Sequence, residues 1–337
     1  METSTVTKAI RIHATGGPEV LVWEDVEVAP PGRGEVLLRH TAIGVNYADI
    51  NLRRGTFYLY NALPLPAILG NEGVGVVEQL GPNVTEVKVG DRVAYVSPSG
   101  TTVSPGSYSE RRIIAANRLA GIPDNVSDEQ AAGAFIKGLT AWCIVRRAFP
   151  VQPGNVVLVH AAAGGVASFL TQWSKHLGAT VIGTVGSTEK ARIAKEGGCD
   201  HTILYRETDF VAETRRLYPQ GVSAVFDGVG KDTFIQSLDC LRHFGMLVNF
   251  GNASGPPPLL DVRMLSQKGS LVVTRVGMGH FIAERETLVP AADELFALIG
   301  QGVLHSNVER TYPLRDAAQA HRDIEERKTT GSVVLIP

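Results

Sequence analysis

The chain has 337 residues, 44% of them hydrophobic and 20% charged, a globular composition that at about 150 residues per domain suggests two domains. Lys and Arg number 32 against 34 Asp and Glu, a net charge of −2, so no global field draws the protein to nucleic acid or anionic lipid. Three scattered cysteines, Cys143, Cys199 and Cys240, form no C-x-x-C pair and read as free thiols of a reducing compartment.

The polar opening, residues 1–7, lacks the profile of a signal peptide. Residues 156–170, the most apolar stretch, are too few to span a bilayer. A cytoplasmic location is expected. The first third reads as β: runs 20–28 and 35–43 are rich in β-branched residues and flank Pro30-Pro31-Gly32, which suggests a turn-bounded pair. Runs 73–78 and 90–96, with turn residues at Gly81-Pro82-Asn83, continue a small barrel or sandwich, and the Ser/Thr/Pro/Gly tract 97–107 reads as a mobile loop. Ser127 and Gln130 have the spacing of a capping box opening a helix over 131–145.

Strands and helices then alternate. Strands are expected at 155–160, 180–184, 201–205, 224–227, 246–250 and 271–275, with helices at 166–177, 188–196, 209–217 and 233–241 between them. That alternation predicts parallel βαβ units in a doubly wound sheet. Helices at 287–300 and 314–327 and a strand at 332–336 follow. The plan is α/β: a β-rich domain over 1–130, an inserted nucleotide-binding domain over 131–272, and a return segment over 273–337 that completes the first.

After strand 155–160 the chain reads Ala162-x-Gly164-x-x-Ala167, a form of G-x-G-x-x-G/A at a strand–turn–helix junction. The middle glycine lets backbone approach a pyrophosphate, and the helix N-terminus faces the anion. An NAD-binding fold places Asp or Glu about 20 residues on, at the tip of the second strand. Here the strand end reads Gly183-Thr-Val-Gly186-Ser187-Thr188-Glu189-Lys190; no acid occupies the tip itself, and Glu189 lies inside the next helical turn. Small residues, hydroxyls and Lys190, with Tyr205 and Arg206 at the next strand end, suit a 2′-phosphate and hence NADP. Lys190 and Arg206 could equally be solvated surface charges, and Glu189 is the competing candidate for an NAD-type acid.

A series of ordered motifs extends over nearly the whole chain. They are Gly16-Gly-Pro-Glu-Val-Leu21, Gly44-Val-Asn46-Tyr47-x-Asp49, Leu69-Gly70-x-Glu72-Gly73-x-Gly75, Lys137-Gly-Leu-Thr140, His160-Ala-Ala-Ala-Gly-Gly165, Asp227-x-Val-Gly230, Asn249-Phe-Gly-Asn-x-Ser-Gly255 and Gln267-Lys-Gly-Ser-Leu271. With these the chain resembles the medium-chain dehydrogenase/reductase superfamily, and within it the zinc-independent quinone oxidoreductases related to zeta-crystallin. The resemblance implies a GroES-like catalytic domain, a Rossmann domain, and a homodimer paired through the Rossmann sheets.

Zinc alcohol dehydrogenases of this fold carry Cys where Asn46 stands and His where Asn71 stands. An amide is a poor zinc ligand, so no metal is expected. The resemblance further implies that Asn46, Tyr47 and Asp49 lie beside the nicotinamide of NADPH with Thr140 nearby, Asn46, Tyr47 and Thr140 being the catalytic set. It puts Gly164, Gly165 and Val166 at the pyrophosphate, and Gly186, Ser187, Lys190 and Tyr205 at the 2′-phosphate. Val229, Phe250, Gly251, Asn252, Val276 and Gly277 border ribose and nicotinamide, and Arg327 reaches back to the cofactor. Gly residues suit any strand–helix turn, Phe250 could be a core aromatic, and Asn46 and Asp49 could serve a core polar network. Three departures stand out: Ala167 for the last glycine, Asn51 and Phe57 where relatives carry tyrosines, and a longer tract 97–107.

The expected reaction is hydride transfer from NADPH to a quinone, which needs an open slot over the nicotinamide and no strong general acid. The rival within enzymes is an alkenal or enone double-bond reductase, which must protonate a carbon and would rely on Tyr47. The rival of another class is a non-catalytic NADPH-binding sensor or RNA-binding crystallin-like protein. The charge of −2 and the lack of a Lys/Arg run argue against nucleic acid as a partner.

Overall fold

In the computed structural model, which describes residues 4–56, 63–97 and 106–337, strand β1 (Thr5–Ile12) opens the chain and pairs antiparallel with β2 (Val22–Val28). Strand β3 (Glu35–Val45) follows, then helix α1 (Tyr47–Arg54) and the short β4 (Ala67–Ile68), which returns to β1. The turn-bounded pair expected of 20–28 and 35–43 is not formed: β2 pairs with β1, in a three-stranded sheet of order β2-β1-β4, and β3 belongs to another sheet. The connection holds a turn closed by the Glu35 N–H on the Gly32 carbonyl at 3.1 Å, with Gly34 at φ 76°, and it carries the chain from one sheet to the next.

Helix α1 is absent from the sequence reading, yet its ends are written locally. Asn46 is its extended N-cap, Asp49 reaches back to the Asn46 N–H at 2.8 Å, and Arg53 and Arg54 sit in the last turn, where cations suit the helix dipole. Gly55, at φ 73°, ends it in the left-handed conformation glycine accepts most readily. Strands β5 (Glu72–Leu80), β6 (Arg92–Val96), β7 (Arg111–Ala115) and β8 (Ala120–Gly121) complete this stretch. Helix α2 (Asp128–Trp142) starts behind the expected capping box, with both reciprocal bonds between Ser127 and Gln130 present at 3.0 and 3.2 Å.

The chain groups into two compact units, Met1–Ile136 with Ile282–Pro337, and Lys137–Phe281. In the second, the alternation read from sequence is realised. Strands β9 (Val156–Val159), β10 (Thr180–Val185) and β11 (His201–Leu204) alternate with α3 (Gly165–His176), α4 (Thr188–Glu196) and α5 (Phe210–Leu217). Strands β12 (Val222–Asp227), β13 (Leu241–Asn249) and β14 (Val272–Arg275) alternate with α6 (Phe234–Ser237), α7 (Arg263–Gln267) and α8 (Met278–Phe281). All neighbours are parallel, in the order β11-β10-β9-β12-β13-β14. That is the 3-2-1-4-5-6 order of a Rossmann sheet, whose ligands bind outside the carboxyl ends of the strands. Its core is largely aliphatic, with Leu158, Ile182, Ile203, Val225 and Leu247 buried in one cluster with Phe210 and Phe234.

Back in the first unit, α9 (Arg285–Gly300), β15 (Val308–Pro313), α10 (Ala317–Glu325) and β16 (Ser332–Ile336) finish the chain. β16 pairs with β3, closing a seven-stranded sheet of order β15-β16-β3-β5-β6-β8 in which β7 also pairs with β3. This is the GroES-like domain. Its core packs Ile10, Ile12, Ile43 and Val45 against Leu314, Ala317 and Leu335, so the return segment is part of the first domain's interior.

Candidate functional site

Asn46 and its neighbours form a polar network inside the first unit. The Asn46 side-chain amide donates to Glu72 Oε1 at 2.7 Å, and Glu72 Oε2 accepts the Ile136 N–H at 2.8 Å. Asn71 donates to Asp49 Oδ1 at 2.5 Å, and Asp49 Oδ2 accepts the Asn46 backbone N–H. Asp49 and Glu72 are both fully buried. Gly44 makes room for this: a Cβ there would lie 2.3 Å from Glu72 Oε1 and 2.4 Å from the Ala132 carbonyl oxygen. Beside the network Tyr47 is 54% exposed, Asn51 is half-buried, and Phe57 lies outside the described residues.

These residues do not fit a zinc ion. Such sites use thiolate, imidazole or carboxylate donors. Both amides instead turn their N–H groups toward the carboxylates, and an amide N–H presents the positive end of its dipole, which repels a cation. Among the described residues no group of three His, Cys, Asp or Glu side chains is disposed to hold a metal. Burial pushes the thiols of Cys143, Cys199 and Cys240 up to about 12, 11 and 12, which removes them as thiolate ligands or redox-active nucleophiles at neutral pH.

The second unit gathers most of the other expected residues at the carboxyl ends of its strands. Gly164 is the N-cap of α3, so no side chain caps the first amides of that helix, at Gly165, Val166 and Ala167, and they suit an anion. A Cβ on Gly165 would come within 3.0 Å of the Lys137 side chain, which lies against this turn. His160, at the end of β9, hydrogen-bonds Thr184 and Ser237 at 2.9 Å each, and burial pushes its pKa down to about 4, so it packs as a neutral imidazole under the turn. At the tip of β10, Ser187 caps α4 by accepting the Lys190 N–H at 3.3 Å, leaving the Lys190 ammonium exposed. Tyr205, at the end of β11, sets its hydroxyl where a Cβ on Gly186 would lie 3.1 Å away. Gly186, Ser187, Lys190 and Tyr205 therefore come from two adjacent strand ends, and Glu189 and Arg206 are exposed beside them.

Asp227 organises the other half of that edge. It accepts the Val229 and Gly230 N–H groups at 2.8 and 3.1 Å, the Thr233 hydroxyl at 2.8 Å and the Asn249 amide at 3.2 Å. The Phe250 ring lies over Gly228, where a Cβ would be 2.7 Å from it, and a Cβ on Gly251 would be 2.5 Å from the Gly228 carbonyl oxygen. Val229 and the half-buried Phe250, Gly251 and Asn252 thus form one surface, continued by Val276, whose N–H donates to the Asn249 carbonyl at 2.9 Å, and by Gly277. The Thr140 hydroxyl meets the sulfur of Met278 at 3.5 Å.

Arg327 lies in the first unit after α10, exposed and at φ 58°. The sequence reading missed Arg53, Tyr108 and His321, which stand behind Asp49; they lie 59 to 268 residues from their partners, and no local signal joins them.

Two family models match the chain: an alcohol dehydrogenase GroES-like domain over residues 32–124, and a zinc-binding dehydrogenase over residues 165–295. A quinone oxidoreductase of Pseudomonas aeruginosa is 45% identical over 333 residues, which cover 98% of this chain and 100% of that protein. A 2-haloacrylate reductase of a Burkholderia species is 43% identical over 330 residues, covering 97% of this chain and 98% of that one. Among solved structures, Escherichia coli quinone oxidoreductase complexed with NADPH matches with a TM-score of 0.91 at 42% identity, over 98% of this chain and all of that one.

Proposed function

The chain belongs to the quinone oxidoreductase family of the medium-chain dehydrogenase/reductase superfamily, and from that premise we propose that it reduces quinones with NADPH and without zinc. The observation that carries this reading is the pair Asn46 and Asn71, whose amide hydrogens are committed to Glu72 and Asp49. Alcohol chemistry on this fold calls for a Lewis acid at an alkoxide. A quinone needs none, because the oxyanion left by hydride transfer is delocalised over the ring and takes its proton from water.

When bound, NADPH supplies a hydride from its nicotinamide. The α3 N-terminus at Gly164, Gly165 and Val166 holds the pyrophosphate. Lys190 and Tyr205, with Gly186 and Ser187, hold the 2′-phosphate through charge-assisted hydrogen bonds. Val229, Phe250, Gly251, Asn252, Val276 and Gly277 border ribose and nicotinamide, and Thr140 orients that end. Asn46 and Tyr47 orient the quinone, Asp49 acts by holding Asn46, and Arg327 contributes a cation to the cofactor.

Steady-state NADPH consumption over a panel of quinones and 2-alkenals tests this. Small quinones are expected to turn over well and 2-alkenals poorly; no turnover of any quinone overturns it. The second reading, a double-bond reductase, draws on the exposed Tyr47 hydroxyl, which is free to protonate a substrate carbon. Faster turnover of 2-alkenals than of quinones selects it. A thiol-based sensor is disfavoured by three buried thiols held above the range where they ionise.

The partner expected is a second copy of the chain. β14 ends the parallel sheet with one edge unpaired among the described strands, and Val272 is 44% exposed on it. Leu259 and Val262, which precede that strand, are also exposed. Light scattering should give twice the chain mass, and Val272→Lys should lower it. No described helix is long and apolar enough to cross a membrane, and the cytoplasm is the compartment that suits three free cysteines.

A further inference from the structure

Behind the amide pair of the first unit runs a line of side chains that the reading above leaves without a task. Arg53, His321 and Tyr108 are each 0% exposed. Arg53 Nη1 lies 3.2 Å from His321 Nδ1, and His321 Nε2 lies 2.9 Å from the Tyr108 hydroxyl. That hydroxyl donates to Asp49 Oδ2 at 3.4 Å, the longest link. At the outer end Glu325 takes Arg53 Nη2 at 2.5 Å and Arg54 at 2.6 Å, and the Gly16 carbonyl takes Arg53 Nε at 3.1 Å.

The direction of every proton in this line is set from the Arg53 end. A guanidinium only donates and does not give up its charge in a protein. His321 Nδ1 must therefore be the bare, accepting nitrogen. Burial and the Arg53 charge push the His321 pKa down to about 3, so the ring is neutral and its single proton sits on Nε2. Nε2–H then donates to the Tyr108 oxygen, and the Tyr108 hydrogen is left for Asp49. The opposite polarity would set Nδ1–H against a guanidinium N–H, two donors facing each other. A proton wire also needs an end that can release a proton and regain it, which Arg53 cannot do. The line conducts nothing; it is a polarised brace.

We propose that Arg53, His321 and Tyr108 are positioning residues for the reduction, holding the Asp49 carboxylate so that it pins the Asn46 N–H and the Asn71 amide and thereby aims the Asn46 side chain and the adjoining Tyr47. The kinetic consequence rests on the quinone-reductase reading; the polarity of the line does not.

The first test therefore needs no substrate. In the ¹⁵N-labelled full chain at neutral pH, His321 is expected to show a protonated Nε2 and a bare Nδ1, assigned by the signals lost in His321→Gln. A protonated Nδ1 overturns the proposal. In Tyr108→Phe the Asn46 amide should exchange its hydrogen about tenfold faster, and unchanged exchange overturns the link to Asn46.

Three variants then test the consequence. His321→Leu breaks the line. His321→Gln preserves its polarity, since the carboxamide oxygen accepts from Arg53 and its N–H donates to Tyr108. Tyr108→Phe and His321→Leu are expected to lower kcat for quinone about tenfold with KM for NADPH within about twofold, and His321→Gln to recover most of the loss. The solvent deuterium isotope effect on kcat should match that of the unmutated enzyme in all three. A fall in melting temperature with kcat unchanged makes the line merely structural, and an altered isotope effect makes it a proton path; either outcome overturns the brace, as does an equal loss of kcat in His321→Gln. If the unmutated protein reduces no quinone, the functional reading fails and the imidazole and amide measurements still decide the brace.

Discussion

The two units build their candidate functional residues into the fold with different materials. The second uses backbone: uncapped amides at the start of α3, tight glycine turns at Gly228 and Gly251, and small residues at the tip of β10. The first uses side chains, Asn46, Asp49, Asn71 and Glu72, braced by Tyr108, His321 and Arg53 from segments up to 268 residues apart. A backbone cradle tolerates much change in side chains but little at its glycines. A side-chain network is the reverse, since each member is held by the others and a single loss leaves a buried partner unsatisfied.

Acid gives the largest contrast. Burial holds His40 and His321 in the first unit down to about 3, and His160 in the second down to about 4. Below the unfolded value of 6.5, the unfolded chain binds protons that these folded imidazoles refuse, so the native state loses stability as pH falls. Each imidazole costs about 1.4 kcal/mol per pH unit, so at pH 5 the loss is about 4 kcal/mol for the first unit and about 2 for the second. Region-resolved hydrogen exchange, corrected for intrinsic rates, should show protection around Tyr108 and around Tyr95, whose hydroxyl lies 2.7 Å from His40 Nε2, lost before that of β9 and β10. Loss in the opposite order would break the comparison.

Glycine substitution probes the same difference from the other side. Gly44→Ala would drive a methyl into Glu72 and the Ala132 carbonyl, an overlap that backbone cannot relieve, and should destabilise by about 1–3 kcal/mol while releasing Asn46. Gly165→Ala meets only the flexible Lys137 chain at 3.0 Å, so its melting temperature should barely move while NADPH binding weakens. Calorimetry on both variants separates the cases; equal losses of stability would mean the two units are built alike.

The same difference explains what could be read in the sequence. The Rossmann alternation, the glycine turn at Gly164 and the Ser127–Gln130 capping box depend on neighbours a few residues away, and all lie where the spacing put them. Helix α1 escapes the periodicity argument because it is only eight residues long, although its capping residues Asn46, Asp49 and Gly55 are local. The partner of β2 was misread because strand pairing is decided by tertiary fit, and β1 lay unrecognised in the opening residues. The line from Arg53 to Tyr108 had no local signature; topology alone brings α1 and α10 together.

Lys190 tests whether the second unit adds any side-chain chemistry to its cradle. Lys190→Ala should weaken NADPH by about 1–3 kcal/mol, the range for bonds to a charged group, and leave NADH nearly untouched. Titration calorimetry with both cofactors measures it. Equal affinities in the unmutated protein would mean that the tip of β10 reads no phosphate.

The smallest effect is expected at Tyr47, although it is the most exposed side chain of the first unit's cluster, at 54%. Hydride arrival on a quinone leaves an oxyanion spread over a conjugated ring, and water can supply its proton at an exposed position. Tyr47→Phe keeps the ring and its packing while removing only the hydroxyl, so quinone turnover should fall less than about tenfold. The 10²–10⁴-fold loss typical of a missing general acid should be absent. The contrast is with Tyr108→Phe, where the lost hydroxyl is buried and donates to the buried carboxylate of Asp49. An exposed tyrosine next to the reaction should therefore matter less than a buried one behind it. A loss of two orders of magnitude or more in Tyr47→Phe, with 2-alkenals outpacing quinones, would reverse that ranking and make Tyr47 the proton donor of a double-bond reductase.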